Sequence, residues 1–384
     1  MSSDGLLERL DELLPVIRAR RDEIEQSRQL PRDLVDEMRK TGIFSLAIPR
    51  AVGGQEAAPA DILRVIEKVA TADGSAGWCT MIGLSGNIAA GYMNEPGARE
   101  IFADPNIVSA GIAAPAGKAT RVDGGVKVSG RWSFASGVTH SEWLFAGCMV
   151  HENDKPRMTP LGPETIHIFV PTSEVTIHDT WFVSGLNGTG SNDISISDSF
   201  VPDRRIFFLL DSATHRSEPL YQMPPVGWFV SQVAAVSLGI ARAALDELID
   251  LAQTKMPTLS TIVLADIASA QIGLARAEAA LAGARALLHE SVGDLWNTLK
   301  AGKTHTMRQM AMNRVACLNA AETGASVTRT ANTLAGGSSI YTKSTMQRHM
   351  RDAEAITHHF TVAPHVWEDA GRVFLGRKPT APIF

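Results

Sequence analysis

The sequence predicts an α+β protein in three consecutive parts: a helical domain over residues 1–105, a β domain over 106–212 and a second helical domain over 213–384. Three observations carry this prediction. Apolar residues recur every three or four positions in the first and last parts, they alternate with period two in the middle, and Gly, Asp and Pro clusters punctuate the segments.

In the first part Leu34, Met38 and Ile43, then Ile62, Val65, Ile66, Val69 and Ala70, fall at helical spacing. Pro49, Gly53, Gly54 and Pro59 make a long turn between them, and Asp61 is placed to cap the helix that follows. In the middle part the Asp123-Gly124-Gly125 turn leads into VKVSGRW, and WLFAGCMV, TIHIFVP, VTIHDTW and DISISDSFVP come after it, rich in β-branched residues. A small antiparallel barrel or sandwich is expected there. In the last part Val233, Val236, Ile240, Ala244, Leu248 and Leu251 share one face, and ASAQIGLARAEAALAGARALLHE has the same period with small residues that let helices approach closely. A C-terminal four-helix bundle is the simplest arrangement.

The 384 residues are 45% hydrophobic and 20% charged, enough to bury a sizeable core. A net charge of −5 with no Lys/Arg-rich run gives no field for nucleic acid. The charged, amphipathic N-terminus is unlike a signal peptide and no run of about 18 apolar residues occurs, so neither a membrane span nor export is expected, and the location expected is cytoplasmic. Cys79, Cys148 and Cys317 show no CxxC spacing and are expected as buried thiols, with no metal site.

Specific strings narrow the field. GIFSLAIPRAVGG (42–54), Asp73-Gly74-Ser75 with Trp78, GRWSFASG (130–137), GLNGTGSNDISISDSFVP (185–202), AGGSSIY (335–341) and QRHMRDAEAITHH (347–359) occur in this order. Each resembles a string of the acyl-CoA dehydrogenase superfamily, and together they run nearly the length of the chain. The resemblance implies that family's fold of helical domain, β domain and helical bundle. It further implies flavin contacts from Trp132, Phe134 and Ser136, from Thr189, Gly190 and Ser191, and from Gly336, Gly337 and Ser338 in a loop that reaches another subunit's flavin within a tetramer.

An acyl-CoA dehydrogenase removes a proton beside a thioester carbonyl and needs a carboxylate base at the flavin. Many members place that Glu nine residues beyond the Arg of an Arg-Asp-Ala string. Here Arg351, Asp352 and Ala353 match the string, and the residue at that offset is Phe360, preceded by His359. Arg-Asp followed by His resembles instead the superfamily's reduced-flavin-dependent monooxygenases. That branch implies the oxygenase component of a two-component system. It would use reduced FMN, or FAD as the alternative, and O₂ to hydroxylate an aromatic or heteroaromatic molecule through a C4a-hydroperoxyflavin. No G-x-G-x-x-G follows a strand to hold a nicotinamide, so a separate NAD(P)H:flavin reductase is the implied partner.

Within that resemblance His359 is the expected catalytic imidazole, titrating near neutral pH and sharing a helix face with Arg351 and Ala355 at i, i+4 and i+8. Ser136 is its expected partner across the flavin. Trp78, Met81 and Phe360 are expected as apolar walls of the substrate pocket, since the reactive oxygen must be kept from water. His358 is expected to be structural, and Lys255 is a candidate for the flavin phosphate. The stretch GWCTMIGLSGNIAA lacks the second His that several phenol hydroxylases of the branch carry, which points to an indole-like substrate. The alternatives are an FAD-dependent acyl-CoA dehydrogenase with its base on an earlier helix, for which Glu247 offers no obvious equivalent, and a sugar N-oxygenase with a more polar pocket.

Overall fold

The computed structural model describes residues 3–160, 162–209 and 216–380. Six helices come first: α1 (Ser3–Ala19), α2 (Arg21–Ser27), α3 (Arg32–Lys40), α4 (Pro59–Ala72), α5 (Gly74–Asn87) and α6 (Glu95–Ile101). Asp73 caps α5 by accepting the Ala76 amide, which fixes where that helix begins.

The strands are β1 (Ser109–Val122), β2 (Gly125–Ala135), β3 (Trp143–Glu152), β4 (Lys155–Pro156), β5 (Met158–Thr159), β6 (Gly162–Pro163), β7 (Thr165–Pro171), β8 (Thr176–His178), β9 (Asn192–Pro202) and β10 (Ile206–Phe207). The main sheet runs β10-β7-β3-β1-β2-β9-β8, with β4 added to β3. Val122 faces Gly125 across the hairpin, whose Gly124 has φ +74°, a conformation that a side chain would strain. The expected all-antiparallel sheet needs correction: β1 and β3 are parallel, so the sheet is mixed. The two strands are joined through the intervening β2, the longer crossover that parallel pairing requires.

Inside the sheet Trp132 packs with Val126, Val128, Cys148, Ile166 and Ile194 in a core of its own. A Cβ on Gly117 would lie 2.2 Å from the Trp132 ring, so that glycine makes room for the indole.

The chain ends in α7 (Pro225–Thr254), α8 (Ala268–Lys300), α9 (Met307–Ala335), α10 (Thr345–Thr357) and the short α11 (His365–Phe374), giving the expected C-terminal helical bundle. Among the described residues α7 alone is long and apolar enough to cross a membrane, yet 89% of its most apolar stretch is buried inside the chain, as befits a core helix.

Ion pairs tie the N-terminal helices to α10. Arg348 pairs with Asp22 at 2.7 Å and Arg351 with Glu25 at 2.8 Å. Glu247 on α7 accepts from Arg21, from Thr345 and from His349, the last at 3.2 Å. Burial alone would raise the Glu247 carboxyl, but the His349 hydrogen bond and the charges of His349 and Arg21 hold it at about 2. Such a carboxylate is a structural clamp and a poor base.

Candidate active site at the junction of sheet and bundle

Four side chains from three segments form one hydrogen-bonded line. Trp78 on α5 donates its indole N–H to Ser136 Oγ at 3.0 Å, Ser136 and Ser191 share a bond of 2.6 Å, Ser191 and Thr189 another of 2.6 Å, and Thr189 donates to the Leu186 carbonyl at 2.9 Å. All four are buried, with Thr189 at 0% exposure and Ser136 at 4%.

The last bond orients the rest. A carbonyl only accepts, so the single Thr189 hydroxyl proton is used on Leu186, and the Ser191 proton must go to Thr189. Ser136 must then give its proton to Ser191, and it also accepts from Trp78. One Ser136 lone pair is left over, which makes this hydroxyl an acceptor toward anything placed beside it.

The loop that anchors the line is held by α10. Asp352 Oδ1 accepts the Leu186 amide at 2.6 Å, and Arg351 donates to the Ser184 carbonyl. Burial, reinforced by the neighbouring Asp73, pushes the Asp352 carboxyl up to about 7. Gly185 lies so close to α10 that a Cβ would stand 2.2 Å from the Arg351 carbonyl oxygen. Gly185→Ala is expected to cost about 2 kcal/mol by overpacking and to displace the loop. A fall in melting temperature together with weaker reduced-flavin binding checks this; an unchanged melting temperature would refute it.

His359 stands against the other side of Trp78, their ring centroids 5.7 Å apart. Phe229 and Phe360 flank it at 5.7 and 4.8 Å. The expected shared helix face is not how it gets there: α10 ends at Thr357, His358 caps it, and His359 has extended backbone at φ −70° and ψ 133°. The residue instead caps a short helical turn, its Nδ1 facing the Thr361 hydroxyl at 2.7 Å and the Thr361 amide at 3.4 Å. The amide favours the tautomer that carries its proton on Nε2. Burial pushes His359 from 6.5 down to about 4, so it is a neutral imidazole at physiological pH and does not titrate near neutrality as expected. His358 is exposed and lines a separate depression of about 280 Å³ with Arg329, Arg351 and Ser184.

The other expected site residues divide. Phe134 presents a ring 70% exposed, set edge-on to Trp181 at 6.1 Å, from a backbone with φ +68° that an aromatic residue seldom adopts. Met81 is wholly buried and Phe360 is 70% exposed. Gly190, at φ +54°, follows Thr189 in the tight turn that sets the hydroxyl line. Trp132 is a correction: its indole N–H is spent on the Gly147 carbonyl at 2.7 Å within the β core, away from the exposed Phe134. Gly336, Gly337 and Ser338 begin the segment before α10, whereas His359 follows its end, roughly 18 Å further along the helix. Lys255 binds the Ala335 carbonyl and the Ser338 hydroxyl, fixing that loop. Thr361, which the sequence reading passed over, holds the imidazole.

An isoalloxazine ring needs an apolar face to stack on and a hydrogen-bonding partner at its N5 edge. The outward Phe134 ring, the acceptor Ser136 two residues further on, and the aromatic rings around His359 fit a reduced flavin, whose N5 carries a proton. The buried carboxylates of this region are each engaged by a structural contact: Asp73 with Ala76, Asp352 with Leu186, and Glu247 with its clamp.

Known proteins share the sequence and fold of this chain. The chain matches the acyl-CoA dehydrogenase N-terminal domain over residues 11–101 and the acyl-CoA dehydrogenase C-terminal domain over residues 231–364. It is 33% identical to the indole-3-acetate monooxygenase of Pseudomonas putida over 94% of this chain and 91% of that one. It is 30% identical to the FADH₂-dependent resorcinol hydroxylase oxygenase component of a Rhizobium species over 59% of this chain and 56% of that one. Among solved structures, the HsaA monooxygenase of Mycobacterium tuberculosis superposes with a TM-score of 0.91 at 27% identity over the full length of both chains.

Proposed function

Because the chain belongs to the acyl-CoA dehydrogenase superfamily, in its branch of two-component flavin-dependent monooxygenases, we propose that Ser136 and His359 divide the work of hydroxylating an indole-like aromatic substrate. The protein is an oxygenase component that takes reduced flavin from a separate reductase and acts on an aromatic compound. The observation that carries the division of work is the hydroxyl line ending at Ser136, with Trp78 between it and His359.

Bound reduced flavin supplies the activation of dioxygen from which an oxygen atom reaches the substrate. Ser136 offers its free lone pair to the N5–H of the reduced ring, a contact that reads the isoalloxazine and serves FMN or FAD equally; reduced FMN is the form proposed. Phe134 supplies the stacking face. Thr189 and Ser191 act through Ser136 by fixing its proton. His359, held at Nδ1 by Thr361, presents its Nε2–H to the substrate as a hydrogen-bond donor. The rings of Trp78 and Phe229 shield the imidazole from water.

The separation of the Gly336-Gly337-Ser338 loop from His359 supports an assembly in which this loop completes the site of another copy, with a tetramer as the proposed state. Exposed Ile340 and Tyr341, at 76% and 61%, belong to the same loop and suit such a contact. A cytoplasmic location is proposed, where NAD(P)H feeds the reductase and the buried, unpaired thiols of Cys79, Cys148 and Cys317 stay reduced.

Mixing the protein with reduced FMN, air and indole-3-acetate tests this reading. Hydroxylated product with suppressed hydrogen peroxide release is the expected result. Bleaching of bound FAD by an acyl-CoA, with no hydroxylated product from any aromatic compound, would replace it with the dehydrogenase reading.

A further inference from the structure

Arg314, in the second turn of α9, is 4% exposed and has no acidic partner among the described residues. Its Nη2 donates to the Thr361 carbonyl at 3.0 Å, while its Nε and Nη1 are buried with no partner among the described residues. The other inward arginines are treated differently. Arg348 has Asp22, Arg21 has Glu247, and Arg242 has Glu278. A guanidinium does not escape burial by losing its proton, so an unpaired one is held at a steep desolvation cost. Burial lowers the Arg314 pKa against a smaller opposing influence of the Cys317 thiol.

The position of this charge gives it a use. Thr361, which Arg314 touches through the carbonyl, holds His359 through the hydroxyl. On the facing helix, Ser231 of α7 bonds Asn313, which places the 228–232 turn of α7 beside Arg314. That turn carries two more buried groups with no partner among the described residues, the Trp228 indole N–H and the Gln232 amide, at 3% and 1% exposure. Phe229, between them in sequence, is the residue whose ring lies 5.7 Å from His359. Unpartnered buried polar groups on α7 and α9 thus flank the short turn Phe360–Val362 that follows the imidazole, although such groups are nearly always satisfied.

The geometry points to Arg314 as the residue that anchors the substrate, by pairing with the carboxylate of an aromatic acid whose ring lies against Trp78 and His359. The assignment rests on the oxygenase reading of the site. A monoanion offsets the single buried charge, whereas a phosphoryl dianion would leave an excess. Its two oxygens also offer enough lone pairs for the guanidinium, the Gln232 NH₂ and the Trp228 N–H together. Nothing in the reaction itself requires an acid, so the carboxylate serves to select and orient the ring.

The test is calorimetric binding, without flavin, of three acids and their primary amides: indole-3-acetate, phenylacetate and 4-hydroxyphenylacetate against the corresponding acetamides. The wild-type protein is expected to bind at least one acid about 30-fold or more tightly than its amide, the scale on which a buried charge pair discriminates. Arg314→Met should bring that acid down to the level of its amide and leave amide binding little changed; Arg314→Lys should restore part of the preference. Should no acid outbind its amide in the wild-type protein, or should Arg314→Met weaken both alike, the assignment is overturned. The wild-type comparison holds even if a variant fails to fold. Hydroxylation assays on the same compounds keep the two readings apart: an acid bound through Arg314 but never hydroxylated upholds the anchor and removes the oxygenase reading. Amides hydroxylated as efficiently as acids remove the anchor and leave the oxygenase.

Discussion

Replacing His359 with alanine is expected to lower the rate of product formation by about 100-fold or more, the usual cost of losing one positioned hydrogen-bond donor at a reacting centre, while reduced-flavin affinity stays nearly constant. The separation follows from the geometry. His359 touches Trp78, Phe229, Phe360 and Thr361, and the hydroxyl line that meets the flavin reaches it only across the Trp78 ring. Oxygen should still be consumed, but as hydrogen peroxide. The pH dependence adds a second readout. Burial has moved this imidazole from 6.5 to about 4, so it is neutral throughout the physiological range and protonates only in acid. In the wild-type enzyme kcat/KM should therefore show no loss assignable to His359 as pH falls from about 8 to 6. An acid limb near pH 6.5 that vanished in His359→Ala would contradict the burial argument; a variant with full coupling would place His359 outside the chemistry.

The sequence reached His359 for a reason the structure does not share. Counting 351, 355 and 359 along one helical face assumed that α10 continues, but it stops at Thr357. The imidazole is oriented by Thr361 instead, a local capping contact that periodicity does not reveal. The strand leading to Ser136 shows the same limit. With strict alternation Trp132 and Phe134 would share a face, yet the β2–β9 register shifts between Trp132 and Ala135, and Phe134 takes a left-handed backbone. The chain therefore turns Trp132 into the core and Phe134 outward. The broad order of helices, sheet and bundle was legible because burial imposes the two periods. The parallel β1–β3 pair was not, since pairing partners distant in sequence leave no periodic mark. Arg314 did leave a signal. It interrupts MAMNRVACLNAA on the stripe of Ala311, Leu318 and Ala321, where a charge on a buried face asks for a partner.

The hydroxyl line makes the second large prediction, because its direction can be reversed without touching the atom that meets the flavin. In Ser191→Ala the Ser136 proton loses its acceptor, while the Trp78 N–H still occupies one lone pair. Ser136 is then free to donate, which suits the unprotonated N5 of oxidised flavin. Wild-type protein should bind reduced FMN in strong preference to oxidised FMN, and Ser191→Ala should cut that preference about tenfold or more. The reduced ring keeps its bond only with the Ser136 O–H left unsatisfied, and the oxidised ring gains a bond, each effect worth about 1 kcal/mol. Ser136→Ala, by contrast, should weaken the reduced form alone, since no hydroxyl remains to turn. Anaerobic titration with dithionite-reduced FMN and aerobic titration with FMN give the two dissociation constants for each variant. If Ser191→Ala preserved the wild-type ratio, the proton order from Leu186 to Ser136 would have no bearing on the flavin, and Ser136 would be only a packing residue at the end of its strand.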